Sequence, residues 1–301
     1  MSNARSANAV RLEFAPGSLV RTNLSGAAFT GDWLWVAGDE ACGLDRLRLL
    51  DPVGSEVLRF GEARDFPLAG LLDLPIEPDA QSEPCLVRQA QDGRRALRLK
   101  GNAQVNLLTQ ALADDPHFGP YMAIPSKDNG FDIEGLPVDG RRLLLGLRGP
   151  VLRGWSALLE IEVEARGDSL RLVPLDDSGT MVRKHFLQLD GLGVRDLHFS
   201  GDDLYILAGP TMVLNGEIRV FKWPAARQSL AAHQEPVRFE AALTESVSLP
   251  HGRDTNRAEA ICDLPPALSG RYPSWLVLYD APGADRRDGE HTVFGGLLRH
   301  D

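Results

Sequence analysis

The chain alternates between short apolar runs and small turn clusters, and one version of that pattern is written repeatedly. "SGAAFTGDWLWVAGDE" starts at Ser25, "IEGLPVDGRRLLLGLRGP" at Ile133, "VRDLHFSGDDLYILAGP" at Val194 and "AEAICDLPPALSGRYPSWLVLYDAP" at Ala258. "SEPCLVRQAQDGRRALRLKGN", from Ser82, is a looser fifth copy. Each reads as a strand, a turn dipeptide and a second strand rich in Leu, Val, Trp and Tyr. The turn pairs are Thr30-Gly31, Asp92-Gly93, Asp139-Gly140, Ser200-Gly201 and Ser269-Gly270. Glycine beside a small polar residue supplies the positive φ of a tight hairpin.

A proline precedes the copies at nearly constant distance. Pro16, Pro125 and Pro250 lie nine residues before Ser25, Glu134 and Glu259, and Pro75 lies eight before Glu83. Proline cannot donate to a ladder, so it suits the end of an outer strand. Further strands complete each unit: "SALLEIEVEA" and "SLRLVPL" in the third, "EIRVFKWP" and "VRFEAALTE" in the fourth. The charges of "EIEVEARGD" alternate with apolar residues and read as a solvated strand face. "VNLLTQALADD", from Val105 to Asp115, reads as one helical insertion.

Four-stranded units repeated in series predict an all-β fold, a five-bladed β-propeller closed in a ring, with six blades as the alternative. The N-terminal strand "VRLEFAP" is expected to supply the outer strand of the last blade. Residues 1–9 read as a tag-like, disordered N-terminus, and 10–301 as a single domain.

In such a ring the start of the first strand and the end of the second share one face. Alignment on the turn glycine places Ser25, Glu83, Glu134, Arg195 and Glu259 at the strand starts. Asp39, Lys100, Arg148, Ala208 and Asp280 fall at the second-strand ends. The loops after the prolines add Arg21, Asn23, Lys127, Asp128, Asp132, His251, Arg253, Asp254 and Arg257. One rim therefore gathers most of the ionisable side chains of the pattern.

Carboxylates crowded there need cations. Arginines or a hard divalent ion, Ca²⁺ or Mg²⁺, would serve. Glu134, Glu259, Asp39 and Asp280 are the candidate metal ligands. Arg148, Arg153, Arg195, Arg257 and Lys127 are the candidate anion binders, since guanidinium pairs carboxylate or phosphate in bidentate fashion. Glu134 and His251 are candidate acid–base groups. For Glu134, an ion pair with Arg148 or Arg195 is the structural alternative. For His251 and His198 it is an ordinary hydrogen-bonded role.

Composition narrows the partners. The net charge is −10 over 301 residues, which disfavours nucleic acid and anionic membrane surfaces. The three cysteines, Cys42, Cys85 and Cys262, form no C-x-x-C and read as reduced thiols, consistent with a cytoplasmic protein. The N-terminus has no apolar leader core, although a trimmed signal peptide would leave none. No Walker loop, G-x-S-x-G or H-E-x-x-H is present.

"FDIEGL", "LLLGLRGPVLRG", "NLSGAAFTGDWLWVAGDE" and "RAEAI" resemble a bacterial family of uncharacterised proteins, a domain of unknown function, over nearly the whole chain. More distantly the Glu-Gly-Leu hairpin is similar to the repeats of esterase-like phytase propellers. It is also similar to the Glu-Gly-Pro strand start of gluconolactonase-type propellers. The latter likeness implies a divalent-metal ligand at Glu134, although Leu136 follows Glu134-Gly135 here. The function expected is binding of a small anionic ligand at one channel mouth, with metal-assisted hydrolysis of an ester or phosphoester. The alternative is a non-catalytic propeller that binds protein or carbohydrate.

Overall fold

The computed structural model describes residues 10–39, 41–50, 57–67, 76–78, 84–86, 97, 99–102, 105–167, 169–212, 216–232, 234–249, 257–265, 268 and 274–299. The chain is all-β. In order, the strands are β1 (Val10–Glu13), β2 (Leu24–Thr30), β3 (Trp33–Gly38), β4 (Gly43–Leu49), β5 (Leu58–Pro67), β6 (Ile76–Pro78) and β7 (Pro84–Leu86). Helix α1 (Leu107–Ala113) follows, then β8 (Asp132–Gly135), β9 (Val138–Asp139), β10 (Arg142–Leu152), β11 (Trp155–Arg166), β12 (Ser169–Val173) and β13 (Arg183–Gln188). The remainder comprises β14 (Gly193–Ser200), β15 (Asp203–Gly209), β16 (Ile218–Trp223), α2 (Ala226–Ala232), β17 (Val237–Glu240), β18 (Thr244–Leu249), β19 (Arg257–Asp263), β20 (Ser274–Asp280), β21 (Arg287–Asp288) and β22 (Thr292–Arg299). They divide into two compact units, residues 1–96 with 249–301, and residues 97–248.

The first unit holds one long sheet in the order β19-β20-β22-β1-β5-β4-β3-β2. It contains two four-stranded meanders, β2 to β5 and β19-β20-β22-β1. As the sequence predicts, the N-terminal strand completes the second: β1 pairs antiparallel with β22, Val10 opposite Gly295. It also pairs parallel with β5, Val10 opposite Leu58, and so sews the meanders together. An antiparallel bridge ties Asn23, just before β2, to Asp280 at the end of β20. Burial follows the period of two expected of strands. In β3, Leu34 and Val36 point into a core with Leu12, Leu47, Phe60 and Leu276, while Trp33 and Trp35 face the other way. There Arg46 stacks on Trp33, 4.1 Å from the ring centroid, and on Phe66 at 4.8 Å. The hairpin β6–β7 also belongs to this unit.

The second unit contains the meanders β8-β10-β11-β13 and β14-β15-β16-β18, with β17 added parallel to β13. Two assignments from the sequence change. "SLRLVPL" forms β12, which pairs with the far end of β11 off the main path, and the fourth strand is instead β13, "RKHFLQ". "VRFEAALTE" splits: its first half is β17 beside β13, and its last residues open β18 beside β16. The expected helical insertion is α1, started by Asn106, whose side chain accepts from Leu108 and Thr109 while Thr109 reaches back to the Asn106 amide. A second short helix, α2, is added.

Three hairpins share one construction. Thr30 faces Trp33, Asp139 faces Arg142 and Ser200 faces Asp203, so each loop has two residues. Gly31, Gly140 and Gly201 lead those loops at φ 58°, 63° and 58°. Positive φ at the first loop position alone is what a type II′ turn asks of glycine. The expected turns at Asp92-Gly93 and Ser269-Gly270 lie outside the described residues.

Candidate functional site

The first strand of each described meander carries a β-bulge at one place. The ladder slips between Leu24 and Gly26, between Ile133 and Gly135, between Val194 and Asp196, and between Ala258 and Ala260. The extra residues are Ser25, Glu134, Arg195 and Glu259, four of the five strand starts aligned from sequence; the fifth, Glu83, lies outside the described residues. A bulge re-aims the side chain of its extra residue and bends the strand there. Three of these residues stand six positions before their turn glycine.

In the second unit two bulges meet. Gly135 and Gly146 leave no room for a side chain, because a Cβ on either would lie 2.7 Å and 2.6 Å from Leu197 and Val194. A Cβ on Gly193 would strike the carbonyl of Arg148. These glycines let β14 settle against β8 and β10, which sets Arg195 beside Glu134. Arg148 Nη1 donates to Glu134 Oε1 at 2.5 Å, and its Nη2 pairs with Asp132 Oδ2. Arg195 Nη1 lies 3.5 Å from Glu134 Oε2, and Arg195 Nη2 donates to the Pro210 carbonyl at 3.4 Å. Two carboxylates and two guanidiniums thus form a neutral quartet. The side chains of Arg148 and Arg195 are only 12% and 11% exposed, so screening by solvent is weak.

The other rim candidates are placed differently. Lys127 is exposed in the loop before Asp128, which bridges Met212. Arg153 occupies an exposed turn and not the quartet. It lies between Leu152 and Trp155, at φ 52° and followed by Gly154 at φ 87°. In the first unit Arg257 faces Asp280 across β19 and β20, and the Asp39 amide donates to the Asn23 carbonyl at 3.2 Å. Asp39, Arg257 and Asp280 are therefore gathered around Asn23, with Glu259 two residues into β19. The Asn23 side chain is 8% exposed, and its amide has no hydrogen-bond partner among the described residues. Glu134 belongs to one unit; Asp39, Glu259 and Asp280 belong to the other. Among the described residues no group of three or more His, Cys, Asp or Glu is placed to hold a metal ion. His251 lies outside the described residues.

Sequence reading missed a second, deeper cluster. Glu160 on β11 and His185 on β13 are fully buried, with His185 Nε2 3.0 Å from Glu160 Oε2. Arg183 Nη1 donates to the same oxygen at 3.0 Å and Arg142 Nε stands 3.2 Å from Oε1. Arg183 also reaches Asp176, and Arg238 pairs with Glu240 at 3.0 Å. Burial pushes the Glu160 carboxyl up. The His185 hydrogen bond and the charges of His185, Arg183 and Arg142 outweigh it, and the group sits below the usual carboxylate range. The solvated-face reading of "EIEVEARGD" is therefore wrong at Glu160. Glu162 and Glu164 are part-exposed, but β11 is buried on both faces from Ser156 to Ile161.

These features define an all-β protein of bulged, hairpin-built meanders with paired charges at its strand starts. The chain belongs to the family described as protein of unknown function (DUF3616), whose model matches residues 23–83 and 73–296. Comparison with curated proteins returns no match. No described helix is long and apolar enough to cross a membrane.

Proposed function

We propose that the protein is a ligand-binding β-propeller that takes a small carboxylate or phosphate anion between Arg148 and Arg195. One observation carries this reading: the two guanidiniums approach opposite oxygens of a single carboxylate, Glu134. That is the arrangement in which arginines recognise a carboxylate. The chain supplies its own occupant, and an incoming anion competes with Glu134. The propeller itself is supported by the four antiparallel meanders and by the recurrence of one bulge in their first strands. Five blades remain the proposed count, with the looser copy from Ser82 as the blade between those begun by β2 and β8.

Binding without turnover is the better supported form. In metal-assisted hydrolysis with Ca²⁺ or Mg²⁺, Glu134 would exchange both guanidiniums for a cation. As a general base it would first have to release both guanidiniums.

Titration calorimetry with acetate, citrate and phosphate tests the proposal on the wild type and on Glu134→Gln. The amide keeps the shape but removes the competing charge, so anion affinity is expected to rise at least tenfold. If neither protein binds any of the three anions, the quartet is a structural lock and the proposal fails.

A further inference from the structure

A separate cavity of about 300 Å³ opens in the first unit, between the loop that follows β1 and the start of β4. Ala15, Pro16, Leu19, Val20 and Pro67 give it apolar walls. Its polar lining is Ser18, Cys42, Asp45 and Asp65, and no Lys, Arg or His lines it among the described residues. Asp45 and Asp65 face each other directly across β4 and β5, so their side chains leave the same face of the sheet. The Asp65 carboxylate lies over Gly43, where a Cβ would come within 2.8 Å of its oxygen. Asp45 is 1% exposed. One of its oxygens accepts from Ser18 Oγ at 2.5 Å, and the other has no hydrogen-bond partner among the described residues.

A nearly buried carboxylate with a spare acceptor, opposite a second carboxylate and without a cation, is costly unless something supplies positive charge. We infer that this cavity binds a small primary ammonium ion, its –NH₃⁺ between Asp45 and Asp65 and its short apolar stem against Ala15, Pro16 and Leu19. An ammonium brings three donors and one charge. A hard divalent ion would need six or more oxygens, and the cavity offers two carboxylates and a hydroxyl already committed to Asp45. Burial, and then the charge of Asp65, hold the Asp45 carboxyl above its ordinary range, opposed by the Ser18 hydrogen bond. The volume is at the small end of ligand pockets, enough for a few carbons beyond the nitrogen.

The test is calorimetric and NMR titration of the full chain with n-butylammonium, butyrate and calcium chloride at neutral pH. Butylammonium is expected to bind in the millimolar range and to shift the amide resonances of Ser18, Cys42 and Asp65, while butyrate leaves them unmoved. Asp65→Asn, at an exposed position, is expected to weaken butylammonium at least tenfold, as is the near-isosteric Asp45→Asn. Absence of ammonium binding by the wild type overturns the inference. So does equal affinity in wild type and Asp65→Asn, or calcium binding at these amides while butylammonium is silent. Because Arg148 and Arg195 take no part, the result is independent of the anion titration.

Discussion

Arg195 and Glu134 face each other because each is the extra residue of a bulge at the start of a first strand, in two strands that glycines allow to pack closely. Their ion pair is written into the backbone before it is written into the side chains. Removing the arginine that holds both neighbouring carboxylates tests how tightly the quartet is coupled. Arg148→Ala leaves Asp132 and Glu134 short of a partner in a poorly solvated place, and a loss of about 2–4 kcal/mol in urea unfolding is expected. In the double variant Arg148→Ala with Glu134→Gln the loss is expected to be smaller than the sum of the two single losses.

The Glu160 cluster predicts a steeper penalty. Glu160→Ala strips the fully buried Arg183 and His185 of their shared acceptor, and about 3–5 kcal/mol is expected. Glu160→Gln preserves an acceptor oxygen but not the charge, and is expected to fall between wild type and Ala by thermal denaturation.

Acid stability follows from the same region. The Asp176 carboxyl drops from its ordinary 3.8 to about 2, first through the Ser178 hydroxyl and then through the Ser178 and Thr180 amides. Glu160 is lowered as well. Both groups bind a proton more weakly in the folded chain than in the unfolded one. Their stabilisation is complete above about pH 4.5 and is lost as pH falls toward 2. Melting temperature should decline through that window, and Asp176→Asn should flatten the decline while leaving its starting point near pH 4.5.

Asp45 has the opposite sign. Its folded-state pKa is raised, so its protonated form stabilises the fold below the unfolded value near 3.8, and that contribution is lost as pH rises. Asp45→Asn is expected to raise the melting temperature at pH 7 and to leave it unchanged at pH 3. An equal shift at both pH values would sink the assignment.

Arg153 sits at φ 52° in a two-residue turn of the kind that favours Asn or Gly at that position. Arg153→Gly is expected to stabilise the protein by roughly 0.5–1 kcal/mol in chemical denaturation, the strain of a left-handed non-glycine residue exceeding the added chain entropy.

The hairpins were legible because glycine at positive φ leaves a local signature, and the constant six-residue spacing carried that signature to Ser25, Glu134 and Arg195. The bulges themselves leave no residue-type signal, and the alignment marked those residues only as strand starts. The choice of β13 over β12 as a fourth strand could not be read, since "SLRLVPL" alternates more cleanly than "RKHFLQL" and long-range packing decides against it. Glu160 defeated the reading for a related reason. A charge alternating with apolar residues looks the same whether its face meets water or a buried arginine. The cavity of Asp45 and Asp65 was also silent, because two aspartates twenty residues apart become partners only through the register of β4 and β5.

The clasp of β1 between β22 and β5 sets an order of assembly. Residues 97–248 form a continuous unit that can condense as it leaves the ribosome. The other unit needs strands from both ends, so its first meander must wait, one edge unpaired, until residues 292–299 have been made. Such late, distant closure is slow and exposes a sheet edge meanwhile. Synthesis halted before β22 should therefore yield a chain with one half sound and the other prone to associate with its neighbours.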